Sequence, residues 1–300
     1  MRIFLTGATG SIGGGILHAL AQAGHQVTCV VRNIEKASSL KTQYGDLVSL
    51  VEIIPDQETS SHFESLASGF HSIIHSGYAM SEHDKDFEQA VTSGLLSAAR
   101  KTSESSPVTF VFTTGAYVLG ETDHLAGEDE TSSSNSLPFN KYRVAHEEFV
   151  LSAQSENLHI SIVRPTWVYG ESFVEFWFKA CKTQGKILAS AKEGHVTFIH
   201  KHDLGELYRL IVENSATGFF AGSEGQSLST NEIIELAKRV TGVNEVERVE
   251  NVWAHIQTYG FFIFSMDFSS RIDCKRGREL LGFAPKYNLL RDAERVLKLD

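Results

Sequence analysis

A glycine-rich segment near the start of the chain restricts the possible folds more than any other feature. Residues 6–13 read TGATGSIG and stand between a short apolar run at 3–5 and a helical pattern at 14–23. In such a strand–turn–helix, the first glycine permits a tight turn, the second lets the backbone approach a pyrophosphate, and the third lets the helix pack close to the sheet. The segment predicts a dinucleotide-binding turn with the phosphates at the helix amino terminus. The predicted contacts are Gly7, Thr9, Gly10, Ser11, Ile12 and Gly13.

Apolar, β-rich runs alternate with helical patterns through the first half of the chain. The runs lie at 3–5, 26–31, 47–54, 72–76, 108–114 and 160–164. Between two of them, Val91, Leu95 and Ala99 recur at helical spacing. Strands that are apolar on both faces and separated by helices form parallel sheets covered on both sides. The predicted fold class is α/β, a doubly wound parallel sheet of the Rossmann type with a smaller C-terminal substrate lobe.

The pattern changes after Gly170, where the chain becomes rich in aromatic residues. Asp203 and Ser229 are candidate N-caps of two further helices, and Gly242 stands just past the end of the second. Aromatic clusters at 167–178 and 259–264 predict an apolar pocket. We expect a dinucleotide-binding domain at 1–170, to which 196–222 returns, and a substrate lobe at 171–195 and 223–300.

Charge and cysteine content exclude several classes of protein. The chain has 27 Lys and Arg against 37 Asp and Glu, a formal charge of −10, which argues against binding to nucleic acid or anionic membranes. Its three cysteines are far apart and include no CxxC pair, so neither a disulfide framework nor a zinc knuckle is indicated. No run approaches the roughly 18 apolar residues of a membrane span, and the apolar start is too short for a signal peptide. We predict a cytoplasmic protein.

The end of the second predicted strand indicates which dinucleotide binds. An acidic residue at this position binds the ribose 2′-hydroxyl of NAD, whereas an arginine accommodates the 2′-phosphate of NADP. Here the strand runs into Arg32, and no Asp or Glu is expected within reach of this position. The sequence therefore favours NADP(H), with NAD(H) as the alternative.

No metal site is predicted. His200 and His202 stand close to Asp203, but alternate strand residues share a face while Asp203 resembles a helix cap, and no third ligand is evident.

Several motifs together resemble the extended and atypical short-chain dehydrogenase/reductases, the NAD-dependent epimerase/dehydratase-like proteins. The motifs are TGATGSIG (6–13), Pro55-Asp56, TTGAYVLG (113–120), VRPTWVYG (163–170), TFIHKHDLGEL (197–207) and ELLGFAP (279–285). The resemblance implies a Rossmann lobe for the dinucleotide and a C-terminal lobe for the substrate. It also implies cofactor contacts at Asp56, near the adenine, and at Pro165.

The catalytic positions depart from the pattern of that family. The family has a Ser or Thr five residues before the glycine that ends the VYG-like segment, but this chain has Gly115 there, with Thr114 just before it. The family also has Tyr and Lys four residues apart, where the cation lowers the pKa of the phenol.

Two alignments of the Tyr/Lys pair remain open. One places Tyr142 and His146 at the two positions, and the other places Phe139 and Arg143 there. His146 titrates near neutrality and replaces the lysine only in part, whereas Arg143 is always charged but has no phenol in its alignment. The candidate catalytic residues are therefore Tyr142, Thr114, His146 and Arg143.

These observations support three hypotheses of function. The first is an NADP(H)-dependent oxidoreductase of the atypical short-chain type that acts on a small, apolar carbonyl or alkene compound, with Tyr142 as proton donor. The second is a non-catalytic NAD(P)-binding sensor or scaffold, because the triad is degenerate. The third is a nucleotide-sugar epimerase or dehydratase. We expect a monomer or homodimer that binds a small-molecule substrate.

Overall fold

The computed structural model describes residues 1–53, 59–77, 85–122, 124–129, 136 and 140–299. Strands and helices alternate through the first half. They are β1 (Arg2–Thr6), α1 (Ser11–Gln22), β2 (Gln26–Val31), α2 (Ile34–Tyr44), β3 (Val48–Glu52), α3 (Ser60–Ala67), β4 (Ser72–His75), α4 (Lys85–Ser103), β5 (Val108–Thr113), α5 (Lys141–Leu151) and β6 (Leu158–Pro165). Each of the β-rich runs predicted above overlaps one of these strands.

The second half mixes shorter strands with helices. They are β7 (Trp167–Tyr169), α6 (Phe173–Gln184), β8 (Ile187–Ser190), β9 (His195–His200), α7 (Lys201–Glu213), β10 (Gly218–Gly222), β11 (Ser227–Ser229), α8 (Thr230–Thr241), β12 (Val246–Val249), α9 (Ile256–Tyr259), β13 (Ser269–Ser270), α10 (Lys275–Leu281) and α11 (Leu289–Val296). Ser229 caps α8 by accepting the amide of Glu232, and α8 ends at Gly242, where φ is +75°. The predicted cap at Asp203 is wrong, because α7 begins at Lys201.

The seven-stranded sheet has the order β3-β2-β1-β4-β5-β6-β10. Strands β1 to β6 pair in parallel. Residues of the central strands, such as Phe4, Ile73 and Phe110, are wholly buried because helices cover both faces of the sheet. The predicted doubly wound Rossmann fold is confirmed, and its strand order brings the ends of β1 and β4 side by side at the ligand-binding edge.

The chain forms two compact units that interleave along the sequence. Unit 1 comprises 1–114, 142–164 and 204–220, and unit 2 comprises 115–141, 165–203 and 221–300. Within unit 1, α1 and α7 cross in backbone contact, since a Cβ on Gly205 would lie 2.1 Å from the carbonyl oxygen of Gly15.

Unit 2 has a core of its own. Trp177 and Phe178 of α6 are wholly buried there with Phe262 and with apolar residues of α8, including Ile233. None of the helices in the described ranges is long and apolar enough to cross a membrane.

Candidate active site

The turn between β1 and α1 has the backbone geometry that the glycine pattern predicts. Gly7 has φ of +77°, a left-handed conformation that glycine adopts without strain. A Cβ on Gly7 would lie 2.7 Å from the amide nitrogen of Gly77, so the segment after β4 passes directly against the turn. A Cβ on Gly13 would lie 2.0 Å from the carbonyl oxygen of Gly7, which explains the third glycine.

The amino terminus of α1 is free to bind an anion. The first hydrogen bond at its start runs from the Gly14 amide to the Gly10 carbonyl, 2.7 Å, which leaves the amides of Ser11, Ile12 and Gly13 without a carbonyl one turn earlier in the helix. The Ser11 hydroxyl oxygen is buried and has no hydrogen-bond partner among the described residues. The first turn contains no acidic residue. These groups fit the pyrophosphate of a dinucleotide.

Thr6 and His75 brace the turn from the adjacent strand ends. The Thr6 hydroxyl lies 2.6 Å from Nδ1 of His75 and accepts the amide of Gly77 at 3.3 Å. Ser76 donates to the Thr6 carbonyl at 2.7 Å. The neighbouring strands β1 and β4 are thus locked together where the dinucleotide turn begins.

The ends of β2 and β3 hold groups of opposite charge. Arg32 is exposed directly after β2. Glu52 of β3 lies opposite Val31 of β2 in the sheet. Its carboxylate accepts a hydrogen bond from the Ile34 amide at 3.1 Å. An acid therefore does reach this region, which corrects the inference that none is near. Asp56, the predicted adenine contact, lies outside the described residues.

Thr114, directly after β5, is hydrogen-bonded within a buried ionic group. Its hydroxyl donates to Glu147 of α5 at 2.5 Å, and Glu147 pairs with Arg164 of β6 at 2.6 Å. All three side chains are buried, and the Arg164 guanidinium also stacks over the Phe219 ring at 4.1 Å. This arrangement fixes α5 to the end of the sheet. It also means that the Thr114 hydroxyl already donates its hydrogen to Glu147.

Tyr142 and Arg143, adjacent on α5, both bind Glu88 of α4. The Tyr142 hydroxyl donates to Oε2 of Glu88 at 3.1 Å, and Arg143 donates to Oε1 at 2.9 Å. Arg143 also donates to the carbonyl of Thr114 at 3.1 Å. The carboxylate is only 3% exposed, so the phenol and the guanidinium share one buried acceptor.

His146 is buried one turn after Tyr142, and its ring packs edge-on against the Tyr142 ring at 5.8 Å. Burial lowers the pKa of His146, and the Arg143 charge lowers it further, while Glu88 acts in the opposite direction. Burial likewise lowers the pKa of His75, to about 4. Both imidazoles are therefore neutral at pH 7.

Comparison with known proteins identifies the family. A profile of the NAD dependent epimerase/dehydratase family matches residues 3–219. The chain belongs to this family. The resemblance inferred from the sequence motifs is confirmed.

Several known proteins resemble the whole chain or a large part of it. An uncharacterized protein of Saccharomyces cerevisiae, YLL056C, is 27% identical over 306 residues, covering 95% of each chain. A 4-hydroxy-2-methyl-3-oxo-4-farnesyl-3,4-dihydroquinoline-1-oxide ketoreductase of Stigmatella aurantiaca is 26% identical over 184 residues, 59% of this chain and 53% of that protein. The structure of MoeE5 in complex with UDP-glucuronic acid and NAD has a TM-score of 0.76 at 18% identity and covers 100% of this chain and 98% of that one. This last likeness shows the common fold.

Gly115 stands where the family pattern has a hydroxyl side chain. Its φ of 175° is extended, and a Cβ there would meet nothing closer than the carbonyl oxygen of Pro165, at 3.9 Å. The backbone would therefore accept a serine, so packing does not explain the missing side chain.

Several aromatic residues of unit 2, among them Tyr117 and Trp167, form a connected group. The Trp167 indole donates to the hydroxyl of Tyr117, whose ring also packs against Phe264 at 6.1 Å. Trp253 contacts Phe264 at 4.6 Å and is 51% exposed, whereas Trp177 is wholly buried in the core.

The described ranges contain no group of three or more His, Cys, Asp or Glu side chains that could hold a metal ion. His200 instead stacks on Tyr287, with ring centroids 3.9 Å apart. Asp203 accepts the backbone amides of Lys286 and Tyr287.

Three carboxylates of this region were missed by sequence reasoning, namely Glu52, Glu88 and Glu147. A signal existed for Glu88, because it lies three and seven residues before Val91 and Leu95, on the apolar face of α4. A charged residue on such a face is rarely buried without a partner. No comparable sequence signal existed for Glu52, whose contact depends on the pairing of β2 with β3.

Proposed function

We propose that this protein is an NAD(P)-dependent oxidoreductase that transfers a hydride between a nicotinamide cofactor and a small apolar carbonyl or alkene compound. The convergence of Tyr142 and Arg143 on the buried carboxylate of Glu88 carries the proposal. A phenol hydrogen-bonded to a buried carboxylate forms a proton-transfer pair, which hydride transfer to or from a carbonyl requires.

The cofactor would lie on the β1–α1 turn. The amides of Ser11, Ile12 and Gly13 and the Ser11 hydroxyl would hold its pyrophosphate, and Gly7 and Gly10 would let the backbone approach it. When bound, the cofactor supplies the hydride acceptor or donor, and the protein supplies orientation and proton transfer.

Tyr142 and Glu88 would move the proton. In alcohol oxidation, the substrate hydroxyl gives its proton to the Tyr142 oxygen, and Tyr142 gives its own proton to Oε2 of Glu88, 3.1 Å away. In reduction both transfers run in reverse. Arg143 holds Oε1 of Glu88 and so fixes the carboxylate in place. The Thr114 backbone carbonyl anchors Arg143.

We assign NADP(H) as the preferred cofactor, with NAD(H) also accepted. The exposed Arg32 after β2 supports this, because a guanidinium favours a 2′-phosphate. Glu52 acts against a strong preference for NADP(H), because its carboxylate already accepts the hydrogen bond of the Ile34 amide at the start of α2.

The substrate class follows from the aromatic group of unit 2. Tyr117 and Trp167 contact each other within unit 2, and the partly exposed Trp253 joins them through Phe264. Aromatic faces suit flat or apolar compounds. The likeness to a ketoreductase named for a farnesyl-bearing quinoline supports the same class.

Nucleotide-sugar epimerisation or dehydration is the second candidate. Its support is the likeness to MoeE5, whose structure contains UDP-glucuronic acid and NAD, and to a UDP-glucose 4-epimerase of Vibrio cholerae, 21% identical over 96% of this chain and 92% of that protein.

An activity screen separates these candidates. We expect NADPH oxidation with aromatic or terpenoid ketones, aldehydes or enones, and no conversion of UDP- or dTDP-sugars. Tyr142→Phe should lower kcat by about 100-fold with unchanged NADPH affinity, whereas Tyr44→Phe, remote on α2, should change neither. Full turnover by Tyr142→Phe would remove Tyr142 from the mechanism. Conversion of nucleotide sugars alone would favour the second candidate, and tight NADPH binding without any turnover would favour a sensor or scaffold.

A further inference from the structure

The proton-transfer pair needs a connection to solvent, a requirement that rests on the proposed function. Each turnover leaves Glu88 with one proton too many or too few. Its side chain is 3% exposed, and its two oxygens bind Tyr142 and Arg143, so bulk water does not reach it directly. Another group must therefore restore its protonation state.

Buried polar atoms without partners surround this carboxylate. Both ring nitrogens of His146, Nε2 of His75 and the hydroxyl of Thr92 make no well-aligned hydrogen bond to any described residue, although the Tyr142 backbone is close enough to raise the pKa of His146 as a hydrogen-bond partner. These side chains are 7%, 4% and 0% exposed. Thr92 stands one helical turn after Glu88 on α4. Buried polar groups are almost always paired, and ordered water commonly pairs those that the protein does not.

Both histidines pack against one phenylalanine. The Phe112 ring centroid is 5.6 Å from His75 and 6.4 Å from His146. Glu88 and Arg143 both act on the pKa of each histidine, so all four groups lie within electrostatic reach of one another. Tyr142, against the His146 ring, is a further titratable group at this place.

We propose that His146 is a positioning residue for proton transfer. It connects Glu88 to solvent through bound water molecules, which it shares with His75 and Thr92. A neutral imidazole suits this role because one nitrogen accepts a proton while the other donates one. In alcohol oxidation, a water takes the proton from Glu88 and passes it to one nitrogen of His146. The other nitrogen releases its proton to a second water, which exchanges with solvent. Reduction reverses each transfer, and no other reactant is needed.

Single-turnover and steady-state kinetics test this role in the full-length protein. His146→Gln keeps a polar side chain that does not titrate and so cannot relay a proton. We expect steady-state kcat to fall about tenfold or more, while the first hydride transfer in stopped flow and the NADPH affinity stay unchanged. A merely structural role would alter the first turnover as well. A parallel loss in both phases, or no loss in either, would overturn the proposal.

The matched control is His159→Gln. His159 is also a histidine with a buried, unpartnered ring nitrogen, but it lies near the amino end of β6. It should leave both phases unchanged.

A crystal structure with NADPH provides a test that needs no substrate. We expect ordered water within hydrogen-bond distance of His146 in the wild type, and water at neither histidine would overturn the path even in an active enzyme. A wild-type protein with this water that binds NADPH but turns over no compound would instead count against the proposed function.

Discussion

Replacing Gly13 by alanine tests the dinucleotide turn with a single methyl group. A Cβ there would lie 2.0 Å from the carbonyl oxygen of Gly7 and 2.5 Å from its carbonyl carbon. Both are backbone atoms of the turn itself, so no flexible side chain can move aside. Gly14, the next residue of α1, is a matched control, because its Cβ would meet only the Ala8 carbonyl oxygen at 3.7 Å, an ordinary contact.

The two substitutions should therefore act in opposite directions. In Gly13→Ala, α1 and the turn must separate by roughly 1 Å, and overpacking of this kind costs about 1–3 kcal/mol of unfolding free energy. The same shift moves the amides of Ser11 and Ile12 away from the pyrophosphate. In Gly14→Ala, alanine replaces glycine inside a helix without a clash, which should stabilise the protein by about 0.5–1 kcal/mol.

Urea unfolding and NADPH fluorescence titration measure the two effects. We expect Gly13→Ala to unfold at lower urea and to lose most of its NADPH affinity, while Gly14→Ala unfolds at equal or higher urea and binds NADPH normally. A Gly13→Ala protein with wild-type stability and wild-type affinity would refute the reasoning from backbone contact.

Two further predictions concern cofactor choice and pH. Arg32→Glu should weaken NADPH binding relative to NADH by about tenfold or more, and Glu52→Gln should shift the preference towards NADPH; equal changes for both cofactors in parallel titrations would contradict this. Burial raises the pKa of Glu224 from 4.5 to about 7, so the folded state holds its proton between these values while the unfolded state releases it. The unfolding free energy should thus fall by up to about 3 kcal/mol as pH rises through that window and stay reduced above it. Glu224→Gln should remove the fall and the exposed control Glu148→Gln should keep it, so a Glu224→Gln protein with wild-type pH dependence in urea unfolding would reject the assignment.

Features that depend on neighbouring residues were determined by the sequence itself. The β1–α1 turn is one, because the left-handed φ of Gly7 and the close approach of Gly13 to the Gly7 carbonyl both arise within eight residues of chain. The capping of α8 by Ser229 and its end at Gly242 are others, since a cap acts on the next turn of its own helix. The alternation of strands and helices fixed the fold class for the same reason.

The partners of the charged side chains were decided only by the tertiary structure. Glu52 reaches Ile34 because β2 and β3 pair with Val31 opposite Glu52. Glu88 binds Tyr142 and Arg143, which lie more than fifty residues after it in the sequence. Asp203, a cap candidate by local rules, instead accepts amides of Lys286 and Tyr287. Charged side chains pair with the groups that the fold brings close to them in a low dielectric. Strand register and helix packing, not spacing in the sequence, determine which groups those are.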